Sequence, residues 1–161
     1  MRKTFVFALL ALCAAGCVKF GAVATKTVVA LDATVKAAAR SAVDVREAEI
    51  KALTGEAVAK AKELGCPGAD DATKAKCAEA LADLKAKRAE ADARWEKART
   101  ALLVAAGATY TAAIGVKAYL DGVQKQPDIA ALIADAIKAY GALRALLEDF
   151  GVKLPAVPWD S

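Results

Sequence analysis

The sequence contains no histidine. Histidine is the usual general base near neutral pH and the commonest metal ligand, so its absence removes most hydrolase triads and most zinc sites. Serine is nearly as scarce. Only Ser41 and Ser161 are available as serine nucleophiles, and neither lies in a Gly-x-Ser-x-Gly elbow. There is no glycine-rich phosphate loop. Strand-forming residues are scattered and never alternate over a useful window. Alanine, the best intrinsic helix former, is by far the commonest residue, which predicts an all-α chain. Acid–base chemistry would have to rest on carboxylates and lysines with no recognisable pairing, so the reading is of a protein that is not an enzyme, with no metal, no cofactor and no small-molecule substrate.

Charge points away from nucleic acid as well. The formal net charge is +4, and subtracting Arg2 and Lys3, which lie in a segment expected to be removed, leaves +2.

That segment opens the chain. Arg2 and Lys3 are followed by an apolar run, Thr4 to Leu12, too short to span a bilayer as a mature helix, and then by the small residues Cys13 to Gly16. This pattern is a secretory signal peptide. Ala14-Ala15-Gly16-Cys17 resembles the lipobox of bacterial lipoproteins, in which a small residue precedes a cysteine that becomes the first mature residue. The resemblance implies a diacylglyceryl group on the Cys17 thiol, cleavage before Cys17 by type II signal peptidase and acylation of the new amine. Several acyl chains on one residue give stable anchoring where one chain is marginal. Val18 in place of aspartate resembles the outer-membrane default of enterobacterial lipoproteins. The alternative is an ordinary signal peptide that leaves Cys17 as an odd thiol. Four cysteines are present, Cys13 leaves with the leader, and Cys66 and Cys77 make a plausible pair, so Cys17 is stranded unless modified.

The expected organisation is a cleaved signal peptide (1–16), a lipid-anchored tether (17–21), a helical domain (22–150) and an extended tail (151–161). From Ala22 to Leu64 the apolar residues Val28, Leu31, Val35, Ala39, Val43, Ile50, Leu53, Ala57, Ala61 and Leu64 recur at the spacing of one helical stripe. Glu47 with Lys51 and Glu56 with Lys60 stand at i,i+4, acid first, on the opposite face. Gly65-Cys66-Pro67-Gly68 stops this helix. Asp70 or Asp71 then supplies an N-cap to a second. The two aspartates lack the alternating oxygen ligands of a calcium loop.

Cys66 and Cys77 flank this turn. In an oxidising periplasm the natural inference is a disulfide, with an intermolecular bond or a redox pair as weaker alternatives because the spacing is far from Cys-x-x-Cys. The second helix runs from about Asp71 towards Leu120 with Leu81, Leu84, Arg88, Ala91, Trp95, Ala98, Leu102, Ala105, Thr109, Ala113, Val116 and Leu120 near heptad spacing. Residues 46–99 alternate acids and bases densely, including Asp83 with Lys87 and Glu90 with Arg94. Ala101 to Val116 contains no charge, falls short of the roughly 20 residues that a span requires, and is closed by Lys117. A buried bundle helix is therefore preferred over a membrane span.

Asp121-Gly122 starts a connection and Pro127 fits the first turn of a third helix. Ile129, Leu132, Ile133, Ala136, Ile137, Tyr140, Leu143, Leu147 and Phe150 form its stripe, suited to cover the apolar zone of helix two. Gly151 ends that helix. Beyond it Leu154, Val157 and Trp159 either dock back on the bundle or offer a partner a short free peptide.

Together these features predict a long antiparallel helical hairpin, stapled by a disulfide at its turn and thickened to a three-helix bundle by the third helix. The expected role is structural or adaptor-like: an outer-membrane lipoprotein facing the periplasm, held to the membrane by lipid and presenting a protein-binding surface. Being helical and lipid-anchored, the chain is similar to the small Braun-type lipoproteins joined to peptidoglycan, but it departs from them in not ending in lysine. The alternative is an envelope-remodelling or lysis factor in which Ala101 to Leu120 engages a second membrane. That arrangement resembles the single-chain spanins of phages, which place their span near the C-terminus, whereas here about forty residues follow.

Overall fold

A computed structural model describes residues 17–66, 70–152 and Leu154. The described residues form three helices and no strand: α1 (Cys17–Glu63), α2 (Asp71–Leu120) and α3 (Gln126–Asp149). Helix α1 is already formed at Cys17, so residues 17–21, expected as a tether, are helical. The signal peptide, and Val157 and Trp159 of the tail, lie outside the described residues.

Each helix ends in the same way. Gly65, Gly122 and Gly151 have φ of 69°, 75° and 77°, a left-handed conformation that costs glycine little because it has no Cβ. The amide that follows each glycine donates back five residues, Cys66 to Ala61 at 2.8 Å, Val123 to Ala118 at 2.8 Å and Val152 to Leu147 at 2.9 Å. Together with the glycine amides bonded to Lys62, Tyr119 and Glu148, these are three Schellman caps, which satisfy the last carbonyls of each helix. Val152 and Leu147, the two residues this cap joins through the backbone, are both buried. The start of α2 is equally defined. The Asp70 carboxylate accepts the Thr73 amide at 2.8 Å and the Thr73 hydroxyl at 2.7 Å, an N-cap that occupies an otherwise unpaired amide.

Threonines within the helices do not break them. The hydroxyls of Thr25, Thr27, Thr34, Thr54, Thr109 and Thr111 all donate to the carbonyl four residues back, which spares a buried hydroxyl such as that of Thr109 the cost of desolvation.

The chain divides into two compact units, one joining Met1–Ser41 to Thr100–Ser161 and the other running Ala42–Arg99. In the first unit α1 buries Phe20, Ala24, Val28, Leu31, Val35 and Ala38. Helix α2 buries Ala105, Thr109, Ala112 and Val116, and α3 buries Ile129, Ile133, Ala136, Tyr140, Leu143 and Leu147. The rings of Phe20 and Tyr119 meet edge to face with centroids 5.3 Å apart. Gly115 marks a close approach: a Cβ there would stand 2.6 Å from Leu132 and 3.3 Å from Ile129.

In the second unit the buried residues are Ala42, Ala80, Ala91, Trp95 and Ala98. This core is thin, and a disulfide between Cys66 and Cys77 reinforces it.

Buried positions advance by alternating steps of three and four, as in Leu31, Val35, Ala38 and Ala42, or Ala105, Thr109, Ala112 and Val116. This corrects the expected stripes locally. Steps of four after Val35 carry a sequence-based stripe to Val43, which is exposed, whereas the seam passes through Ala42. Arg88 and Leu81 were expected on the second stripe. Both are exposed, and Ala80 and half-buried Lys87 take the inward register in their place, on either side of Leu84, which was expected there and is half-buried. A seam of 3.5 residues per turn falls behind a 3.6-residue helix, so a stripe extrapolated in steps of four drifts off it.

Candidate functional site

The predicted site residues fall into three groups. Cys17, the expected lipid attachment point, lies in α1. Cys66 and Cys77 form the expected disulfide, with S–S 1.99 Å and Cα–Cα 6.1 Å. In the tail, Leu154 is half-buried.

The charged surface of residues 42–99 is organised by pairs that join α1 to α2. Glu56 accepts from Lys87 at 2.9 Å, and Lys87 also meets Asp83 at 3.4 Å. Both carboxylates hold the Lys87 ammonium above its ordinary range, the Glu56 hydrogen bond most strongly. Arg46 lies 3.5 Å from Asp92. Glu49 is the most engaged of these residues: one oxygen takes the Trp95 indole N–H at 2.7 Å and the other takes the Arg94 guanidinium. Trp95 is thereby buried with its polar end satisfied.

Two of the expected i,i+4 pairs are redirected by these contacts. Asp83 and Lys87 do meet, but Glu56 reaches Lys87 in place of Lys60, and Arg94 reaches Glu49 in place of Glu90. The bridge carries the signal that would have located them. Glu49 stands seventeen residues before Cys66 and Arg94 seventeen after Cys77, while Glu56 and Lys87 each stand ten away. Counting outward from the disulfide in both directions finds both pairs.

At the turn, Asp70 is held below its ordinary carboxylate range, first by the backbone hydrogen bond from Thr73 and then by the Thr73 hydroxyl. Among the described residues no group of three cysteine, aspartate or glutamate side chains is placed to hold a metal ion. Asp70 and Asp71 instead serve the helix start, Asp71 pairing with Lys74 at 3.0 Å.

The uncharged stretch of α2, expected as a buried bundle helix, is buried on one side only. Ala105, Thr109, Ala112 and Val116 turn inward, but Leu103, Val104, Tyr110 and Ile114 are exposed. Among the described residues, α2 is the one helix long and apolar enough to cross a membrane, with only 28% of its most apolar window buried.

No protein-family model, curated protein or solved structure matches this chain.

Proposed function

We propose that this is a lipid-anchored lipoprotein of the bacterial outer membrane, facing the periplasm, with a structural or adaptor role that is not enzymatic. The observation that carries the reading is Ala14-Ala15-Gly16-Cys17 after a signal-peptide pattern, with the cysteine already in helix. An anchor joined to a helix holds the folded chain at the lipid surface without a flexible spacer.

In this reading α1 and α2 pair as an antiparallel hairpin within 42–99, and α3 joins them as a three-helix bundle in the other unit. The cross-helix partners support the first arrangement: residues 49, 56 and 66 on the α1 side meet 94, 87 and 77, so that the partner's number falls as its own rises, and Arg46 reaches Asp92 beside the first of these pairs. The three-four spacing of the buried seams supports left-handed helix packing in both units. The charged, disulfide-closed hairpin is the surface offered to a protein partner. Residues 42–99 carry twelve acids and twelve bases, so recognition there depends on charge pattern and not on net charge.

The test is to express the chain in a Gram-negative host with labelled palmitate. Label should enter the wild type, be absent from Cys17→Ser, and fractionate with the outer membrane. An unlabelled, soluble wild-type chain with an unmodified N-terminus would rule out the anchor. Photo-crosslinkers at exposed positions 74 and 85 should then trap one partner in the native envelope, and charge reversal at exposed Lys76 and Arg88 should weaken that crosslinking. Crosslinking that ignores charge reversal would count against the adaptor surface.

A further inference from the structure

We propose that the outward face of α2 between Leu103 and Ile114 docks laterally on an anionic lipid surface. Leu103, Val104, Tyr110 and Ile114 are 65%, 58%, 69% and 53% exposed, and Ala106, Gly107 and Thr111 beside them are exposed as well. A run of large apolar side chains in water is costly and marks a surface that something covers.

The charge pattern of the same helix identifies the occupant. From Asp71 to Arg99 the exposed positions carry acids and bases throughout, whereas from Ala101 to Val116 no position carries a charge on any side. A partner helix needs one apolar stripe, and the flanks of such a stripe remain charged. A lipid boundary takes in the whole outer half of a helix and excludes charge from all of it. Tyr110 suits that boundary, with an apolar ring and a hydroxyl for the headgroup level, and Lys117 closes the stretch with a head that can reach lipid phosphate.

A second copy of the chain fits less well than an anionic surface. The described residues of this unit carry eight bases and six acids, a net +2, with the excess in 17–41, where Lys19, Lys26, Lys36 and Arg40 stand against Asp32 alone. Two such surfaces repel each other and attract anionic headgroups. Crossing the bilayer is excluded by packing, since Ala105, Thr109, Ala112 and Val116 of the same stretch are buried in protein. The geometry is that of a helix lying in the interface. The anchoring reading supplies the setting, a bilayer close at hand, but the docking is a property of the folded chain without its lipid.

The test uses residues 17–161 with Cys17→Ser, which holds every described helix and carries no acyl chain, mixed with vesicles of phosphatidylcholine alone or with phosphatidylglycerol. The chain should float with the mixed vesicles, less with phosphatidylcholine alone, and less in high salt. Leu103→Asp with Ile114→Asp should reduce flotation about tenfold while circular dichroism stays unchanged. Should that pair unfold, Tyr110→Ser provides a milder loss at a fully outward site. Flotation unaffected by either variant, or no flotation on either vesicle, overturns the proposal. So does a lipid-free dimer that the substitutions split, which would assign the face to a second copy. Absence of flotation leaves palmitate labelling of Cys17 untouched, and absence of labelling leaves flotation untouched, so the two readings fail separately.

Discussion

The carboxylate of Glu49 holds two neighbours on α2 at once: its Oε2 accepts the Trp95 indole N–H at 2.7 Å while its Oε1 meets the Arg94 guanidinium. Because Trp95 is the largest side chain buried in the second unit, this one acid fixes both the depth of the indole and the register of the charged pairs around it. Hydrogen bonds with a charged partner contribute about 1.5–3 kcal/mol. Glu49→Ala is therefore expected to lower the unfolding free energy by about 2 kcal/mol, and Glu49→Gln, which keeps an acceptor for the indole, by about half of that. Urea unfolding followed by tryptophan fluorescence measures both. Equal losses for the two variants would mean that the charge on Glu49, not the bond to Trp95, carries the effect.

Reduction of the Cys66–Cys77 bond should weaken the second unit more than its small size suggests. The bridge closes an eleven-residue separation next to a core made mostly of alanine. Constraining a loop of that length contributes about 3 kcal/mol in the chain-entropy model. For a chain of this size that corresponds to a fall in Tm of roughly 5–10 °C on adding reductant or on paired Cys66→Ser and Cys77→Ser substitution. Differential scanning calorimetry under oxidising and reducing conditions reads it directly. An unchanged Tm would show that the turn between α1 and α2 holds itself.

The same bridge explains what a reader of the sequence can and cannot see. Helix number, the breaks at Gly65, Gly122 and Gly151, the cap at Asp70, the disulfide and the whole inward stripe of α3 follow from local chemistry, because each depends on residues a few positions apart. The partners of Glu49 and Glu56 depend on how two helices align, and periodicity within either helix is silent about that. Val43 was placed inward because a stripe extended in steps of four drifts from a seam of 3.5 residues per turn, and Arg88 because the expected stripe takes a four-residue step after Leu84 where the seam takes three. The exposure of the outward face of α2 was hidden for a different reason: spacing separates Ala105, which is buried, from Leu103, which is not, but it does not tell whether α3 reaches round to cover Leu103, and that depends on packing.

Acid should weaken the capped start of α2 through Asp70. Asp70 is held below its ordinary value of 3.8 by the Thr73 amide and hydroxyl, so the folded chain binds its proton less tightly than the unfolded one. The stabilising contribution is complete above the unfolded value and is lost as pH falls through the lower, folded value. Asp70→Asn retains an oxygen acceptor for the cap but removes the titration. Its unfolding free energy should differ from the wild type at pH 7 and converge with it at the acid end. Parallel curves for the two proteins across pH 2–7 would disconnect the cap from the acid limb. Lys87 works in the opposite sense: its raised pKa, caused first by Glu56 and then by Asp83, gives a contribution present below 10.5 and lost as alkali removes its proton.

Two glycines inside helices should respond in opposite directions when enlarged. Gly55 lies within α1 with nothing within 4 Å of the place a Cβ would take. A glycine in a helix interior gives away backbone entropy that alanine does not, so Gly55→Ala should raise stability by about 0.5–1 kcal/mol. Gly115 lies within α2 at the close approach to α3, where a Cβ meets Leu132 at 2.6 Å and both Ile129 and Gln124 at 3.3 Å. Leu132 is half-buried and its terminal methyl can swing aside for a single carbon. It cannot make room for a full side chain beside fully buried Ile129. Gly115→Leu is thus expected to cost about 1–3 kcal/mol by overpacking, despite the better helix propensity of leucine. Thermal unfolding of the two variants beside the wild type separates the effects. A stabilised Gly115→Leu would mean that α2 and α3 are free to move apart at this point, and that helix propensity, not contact with Leu132, governs the site.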